Sequence, residues 1–172
     1  MNSGLQAAGF DQFKNRVKID VSRQKSVRTK GGDFDDKREE IRMRVQMKNQ
    51  STNAEFKGYQ GLIIAISESL AERNQYKLVI KQEFPIALAA GATAEFVSDE
   101  RVEGWDNTGV IWGFKYDGYC LLIFDPEGKL VVTKTSTSKC EKLAKNYEEV
   151  KEGDLLDKDM KSIGRAPVSR VK

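Results

Sequence analysis

The chain has 172 residues, 39% hydrophobic and 32% charged, with a formal net charge of +3 and no histidine. That composition suits one folded domain with something extra and excludes a wholly disordered chain. Without histidine there is no Ser-His-Asp or Cys-His arrangement and no His-bearing zinc site, and the longest apolar runs, Leu62 to Ile66, Ala87 to Ala90 and Cys120 to Phe124, fall far short of the ~20 residues a membrane helix needs.

Met1 to Gly9 is small and polar, with neither a basic start nor an apolar stretch, so it does not read as an export signal. Residues 1–13 are expected to be a flexible segment. From Lys14 to Lys30 seven cations (Lys14, Arg16, Lys18, Arg23, Lys25, Arg28 and Lys30) face one acid, Asp20. Val17, Ile19 and Val21 alternate with polar residues there, which predicts a half-buried strand over Arg16 to Arg23, its cations on the solvated side. Thr29 to Asp36 reads as a loop. In Glu40 to Lys48, Ile41, Met43, Val45 and Met47 alternate with Arg42, Arg44, Gln46 and Lys48, one face for a core and one for water. Asn49 to Asn53 reads as a turn.

The continuous apolar run Gly61 to Ser67 predicts a central strand, and Tyr76 to Gln82 another. Pro85 marks an edge or a bend. A short strand is expected over Thr93 to Val97. Ser98 to Asn107 reads as an acidic loop. Gly109 to Phe114 and Tyr119 to Phe124 read as one long strand, or two joined at Asp117-Gly118. Asp125-Pro126-Glu127-Gly128 is a turn signal, and Lys129 to Thr135 returns as a hairpin partner. The period then changes: Ser138 with Glu141 forms a capping pattern, and Leu143, Ala144, Tyr147 and Val150 share one helical face. Asp154 to Lys172 is expected to be a peripheral tail.

These elements predict a mainly β protein, an antiparallel β-sandwich of about seven to eight strands with a C-terminal helix. The sandwich is expected over 14–138, with the helix and tail over 139–172. No helices separate consecutive strands, so a parallel α/β sheet is not expected.

Two segments carry a family resemblance. Val45, Asn49 and Ser51 end one strand; Leu88, Gly91, Thr93 and Phe96 lie in F-P-I-A-L-A-A-G-A-T-A-E-F. Together they resemble the immunoglobulin-like, fibronectin type III-like sandwich domains of exported bacterial proteins, over about residues 37–137. The first motif is offset from the usual V-x-N-x-S spacing, and Ala90 and Ala92 stand where the second usually has a proline and an acid. The resemblance implies a spacer, adhesive module or partner of another domain, rather than a catalyst.

Candidate chemistry is sparse. The carboxylates cluster as Asp33, Asp35 and Asp36; Asp99, Glu100, Glu103 and Asp106; and Asp154, Asp157 and Asp159. None has EF-hand spacing, so solvated loops are the expectation, with calcium the alternative. Cys120 and Cys140 fit no CxxC pattern. A hairpin near Pro126 places Cys120 opposite about residue 134, which predicts two free thiols, Cys120 buried; a disulfide in an oxidising compartment is the alternative and requires the chain to fold back after Ser138. No cofactor is expected. Trp112 and Phe114 read as core. Trp105, in the loop formers Gly104 and Asp106, is the candidate contact residue, with Asp99, Asp106 and Asn107 beside it. The expected role is a non-catalytic module that binds a protein partner in the bacterial envelope or extracellular space, after removal of an export signal. A carbohydrate-binding module using Ser98 to Asn107 is one alternative, and a cytoplasmic protein of other activity is another. The mild net charge does not point to nucleic acid.

Overall fold

A computed structural model describes residues 10–29 and 37–167, with side chains from 12–24 and 37–167. Among the described residues it is an antiparallel β-sandwich of ten strands rather than the seven or eight expected. The chain runs α1 (Phe10–Arg16), β1 (Val17–Thr29), β2 (Lys37–Asn49), β3 (Phe56–Ser69), β4 (Tyr76–Leu88), β5 (Thr93–Val97), β6 (Arg101–Asp106), β7 (Trp112–Phe124), β8 (Leu130–Thr135), α2 (Ser138–Asn146), β9 (Asp154–Leu156) and β10 (Ser162–Arg165). The pairing order is β1-β2-β6-β7-β3-β4-β9-β10, with β5 also on β2 and β8 also on β7.

The strands divide into two layers. In β2, Ile41, Met43, Val45 and Met47 are buried while Arg42, Gln46 and Lys48 are exposed, as the alternation requires. That row meets Ile63 and Ala65 of β3, Ile80, Phe84 and Ile86 of β4, and Leu121 and Ile123 of β7. Phe84 stacks on Phe96 of β5 at 4.1 Å between ring centroids, tying the two layers along one side. On the other, Lys134 of β8 donates to the Ile19 carbonyl of β1 at 2.7 Å. A lysine there occupies part of an otherwise open strand edge.

β3 is buried on both faces, which is why Gly61 to Ser67 lacks alternation. Leu62, Ile64 and Ile66 point away from β2 and pack with Cys120, Leu122, Leu143, Val150, Leu156 and Met160. The segment expected to be a peripheral tail is therefore part of the structure: β9 pairs with β4, and Leu156 and Met160 are buried. Residues 168–172 lie outside the described residues.

Other boundaries also differ. Phe13, expected in a flexible segment, is buried against Phe56 and Tyr59 at 5.1 and 4.5 Å; residues 1–9 lie outside the described residues, as does most of the expected loop Thr29 to Asp36 (residues 30–36). β1 runs to Thr29, six residues past the expected end. β7 is one strand, with Asp117 as an extra residue between the pairs Ile66–Gly118 and Ser67–Tyr116. The cap of α2 is Thr137 rather than Ser138; its hydroxyl accepts the Cys140 N–H at 3.3 Å. The helix ends at Asn146, and the Lys81 ammonium donates to the Tyr147 and Val150 carbonyls at 2.6 and 2.7 Å. The first belongs to the C-cap of the helix, where carbonyls lack intrahelical partners; the second follows the turn beyond it.

Asn49 and Ser51 act as turn residues. The Asn49 amide donates to the Ala54 and Ala89 carbonyls and accepts the Ser51 N–H, so the β2–β3 and β4–β5 turns share one buried side chain. Gly91 has φ +69° at the tip of the second turn, as a glycine there should.

Candidate contact site at the β6–β7 end

Only the ends of the stretch Ser98 to Asn107 are loop. Arg101 to Asp106 form β6, which pairs with the start of β2 (Ile41–Arg101 through Lys37–Trp105) and then with β7 (Trp105–Gly113 and Asp106–Trp112). β6 thus passes from one layer to the other. The crossing is tight: Gly113 has φ +90°, and a Cβ there would lie 2.1 Å from the Gly104 carbonyl oxygen. Only glycine fits that approach.

The four candidate residues separate accordingly. Trp105 is 6% exposed and Asp106 is buried; Asp99 and Asn107 are exposed. Asp99 and Asn107 sit at opposite ends of β6, on the order of 25 Å apart at about 3.4 Å per residue. They do not line one site. Asp99 donates its N–H to Gln82 at 2.9 Å. The Asp106 carboxyl accepts from the N–H and hydroxyl of Thr108 at 2.7 and 2.9 Å, holding the following turn. Asn107 accepts from the Lys37 ammonium at 3.1 Å. The Trp105 ring lies near two ammonium groups, Lys37 at 4.5 Å and Lys115 at 5.0 Å from its centroid.

Trp105 belongs to a polar corner where the apolar inter-sheet core ends. Glu39 continues the inward row of β2 and stands opposite Glu103 of β6; the two are 1% and 3% exposed. Buried carboxyl groups need partners. Arg23 of β1 pairs with Glu39, which also accepts the Tyr116 N–H at 3.2 Å. Lys77 of β4 pairs with Glu103 at 2.6 Å. Burial pushes the Glu103 carboxyl above its ordinary range, with the neighbouring Glu39 adding to the rise and Lys77 opposing it. Burial likewise raises the Tyr116 phenol, and the Arg23 guanidinium lies 4.2 Å from that ring's centroid. Ser67, opposite both Lys77 and Tyr116, has a buried hydroxyl with no hydrogen-bond partner among the described residues, as has the Trp105 indole N–H.

Beyond the corner the chain turns outward. Strand β7 starts at Trp112, so Val110 and Ile111 fall in the turn rather than in the strand expected over Gly109 to Phe114. They are 80% and 51% exposed. Trp112 itself is half-buried.

The acidic clusters hold no common centre. Glu100 pairs with Arg42 at 2.7 Å, Asp154 with Arg165 and Asp159 with Lys142, each at 3.0 Å. Among the described residues no group of three or more His, Cys, Asp or Glu is placed to hold a metal ion; Asp33, Asp35 and Asp36 lie outside them. Cys120 and Cys140 are free and buried, and burial pushes the Cys120 thiol up to about 12. No described helix is long and apolar enough to cross a membrane.

No family model matches the chain, and no curated protein matches it. Among solved structures, an X-ray structure of a Northeast Structural Genomics Consortium target overlaps 73% of this chain and 89% of its own, at 6% identity and a TM-score of 0.35. A crystal structure from Akkermansia muciniphila overlaps 89% of this chain and 95% of its own, at 15% identity and a TM-score of 0.34.

Proposed function

We propose that the chain is a non-catalytic module, immunoglobulin-like in type, that makes protein contacts in an envelope or extracellular assembly through the β6–β7 turn. The carrying observation is the exposure of Val110 and Ile111 on a turn whose base is held by Asp106, by the Gly113 crossing and by buried Trp105. Large aliphatic side chains on a fixed protrusion provide contact area at little ordering cost. The immunoglobulin-like reading is supported by two packed antiparallel layers and by Asn49, Ser51 and Gly91 serving as turn residues. The non-catalytic reading is supported by the burial of Glu103, the carboxyl with the raised titration, which no substrate reaches in the closed fold. Trp105 presents no open ring face for a sugar, which disfavours the carbohydrate-binding alternative.

The test is the double substitution Val110→Asp with Ile111→Asp. Stability is expected to stay within about 0.5 kcal/mol, as for other exposed positions. Proteins photo-crosslinked from a probe at position 107 of the wild type, in an envelope fraction, should no longer be captured. Undiminished capture by the folded double variant would move the contact surface away from this turn.

A further inference from the structure

One end of the outer face of β3, β4 and β7 is left uncovered. Leu62, Ile64 and Ile66 pack under α2 and β9, but that cover ends where Phe124 meets Tyr147, their ring centroids 5.7 Å apart. Beyond it lies a groove of about 370 Å³, floored by Gly58, Gln60 and Leu62 and walled by Phe124 and Pro126. That volume is in the range of binding clefts. Gly58 leaves it deep: a Cβ there would already lie 3.4 Å from the Pro126 ring. The rim is the β7–β8 turn, held by the Asp125 carboxyl, which accepts the Glu127 and Lys129 N–H groups at 2.9 and 2.8 Å. Asp125 and Glu83 place two carboxylates on the lining. The cations around it are engaged within the chain. Lys81 donates to the Tyr147 and Val150 carbonyls, Lys57 pairs with Glu55 at 3.0 Å, and Lys129 also has a partner.

The other end of β7 carries the complementary shape. Val110 and Ile111 protrude, 80% and 51% exposed, from a turn, Asn107 to Ile111, that contains no acid. Lys37 and Lys115 stand at its base. Their charge is met by the Trp105 ring and the Asn107 amide oxygen rather than by a carboxylate. β7 has 13 residues, so turn and groove lie on the order of 40 Å apart at about 3.4 Å per residue. They cannot meet within one chain. We propose that they meet between copies: Val110 and Ile111 of one molecule enter the groove of the next, against Leu62, Phe124 and Pro126, with the two lysines toward Glu83 and Asp125. This rests on the reading of the turn as the contact surface and names its partner, a second copy of this chain. Removing the two aliphatic side chains from water drives the contact, and the opposed charges orient it. Turn and groove are different patches, so the contact is heterologous: each molecule keeps one of each unfilled, and copies add in series rather than stopping at a symmetric pair. A contact this small makes the association weak and transient.

Sedimentation velocity and NMR of the wild type, raised in concentration to about 1 mM so that a Kd near that value is detected, test this. The weight-average sedimentation coefficient should rise with concentration, and the amides of Gly58, Gln60 and Gly128 should shift together with those of Val110 and Ile111. Two variants should each remain monomeric: Val110→Asp with Ile111→Asp, and Gln60→Arg, which lays a long cation across the groove from an exposed position. Mixed in equal amounts they should associate and stop at a dimer, because one keeps an intact groove and the other an intact turn. A wild type that stays monomeric, self-association that survives in either variant, or a mixture no more associated than its components would each overturn the proposal. If a variant does not fold, the wild-type amides decide: shifts at only one of the two surfaces, or at neither, overturn it. A monomeric wild type whose crosslinks from position 107 are still lost in the double Asp variant would remove the second copy as partner and leave the turn as the contact surface.

Discussion

Trp105→Ala is expected to lower the free energy of unfolding by about 3–5 kcal/mol, the usual cost of removing a large buried aromatic side chain. Urea denaturation monitored by circular dichroism measures it. The cost follows from position. Trp105 is almost fully buried where β6 leaves β2 and joins β7, opposite Lys37 on one strand and Gly113 on the other. Truncation leaves a void in the closure of the sandwich and removes the ring beside which the Lys37 and Lys115 ammonium groups lie. A loss within about 0.5 kcal/mol, the usual range for a surface position, would mean that the indole does not close this end.

Lys77→Ala is expected to cost a similar amount at pH 7, about 3–5 kcal/mol, because it leaves the Glu103 carboxyl buried without its counter-charge. The loss should shrink as pH falls, since burial already holds Glu103 toward its neutral form and the missing ammonium then matters less. The paired replacement Lys77→Met with Glu103→Leu should behave differently. Exchanging both members of a buried ion pair for apolar side chains of similar size is often neutral or stabilising by about 1–4 kcal/mol. Chemical denaturation of both variants at pH 5 and pH 7 checks the pattern. A double variant as unstable as Lys77→Ala would show that the ion pair itself holds β6 in place.

The difference between β2 and β6 shows what a local pattern can and cannot reveal. β2 was legible because its inward residues, Ile41 to Met47, are apolar and its outward ones are charged. In β6 the four residues Glu103 to Asp106 are all buried, and two of them are acids, so no apolar alternation marks the strand. The inward position of Glu103 depends on Glu39, Lys77 and Arg23, which lie 64, 26 and 80 residues away in the chain. No window of ten residues contains that compensation. A usable signal is present in Asp106-Asn107-Thr108-Gly109, a turn sequence of the same kind as Asp125 to Gly128, the tip of the β7–β8 hairpin.

The helix shows a smaller version of the same limit. Ser136, Thr137 and Ser138 are three consecutive hydroxyl residues, each suited to cap a helix. Thr137 does so because its hydroxyl reaches the Cys140 N–H, a choice set by where β8 ends. β9 is three residues long, too short to show any period. Its place is fixed by the outer face of β3, whose Leu62, Ile64 and Ile66 need a cover. Hairpin arithmetic placed the strand partner of Cys120 to within one residue: it is Thr135.

Burial of Trp105 within a strand is what shifts the candidate contact surface from Ser98–Asn107 to the turn at Val110 and Ile111. With Trp112 replaced by phenylalanine, Trp105 is the single tryptophan of the chain, and acrylamide quenching of its fluorescence reports that burial directly. The expected result is quenching far weaker in the native protein than in the same protein unfolded in urea. Equal quenching in the two states, with the β-sheet circular dichroism signal of the native protein intact, would contradict it.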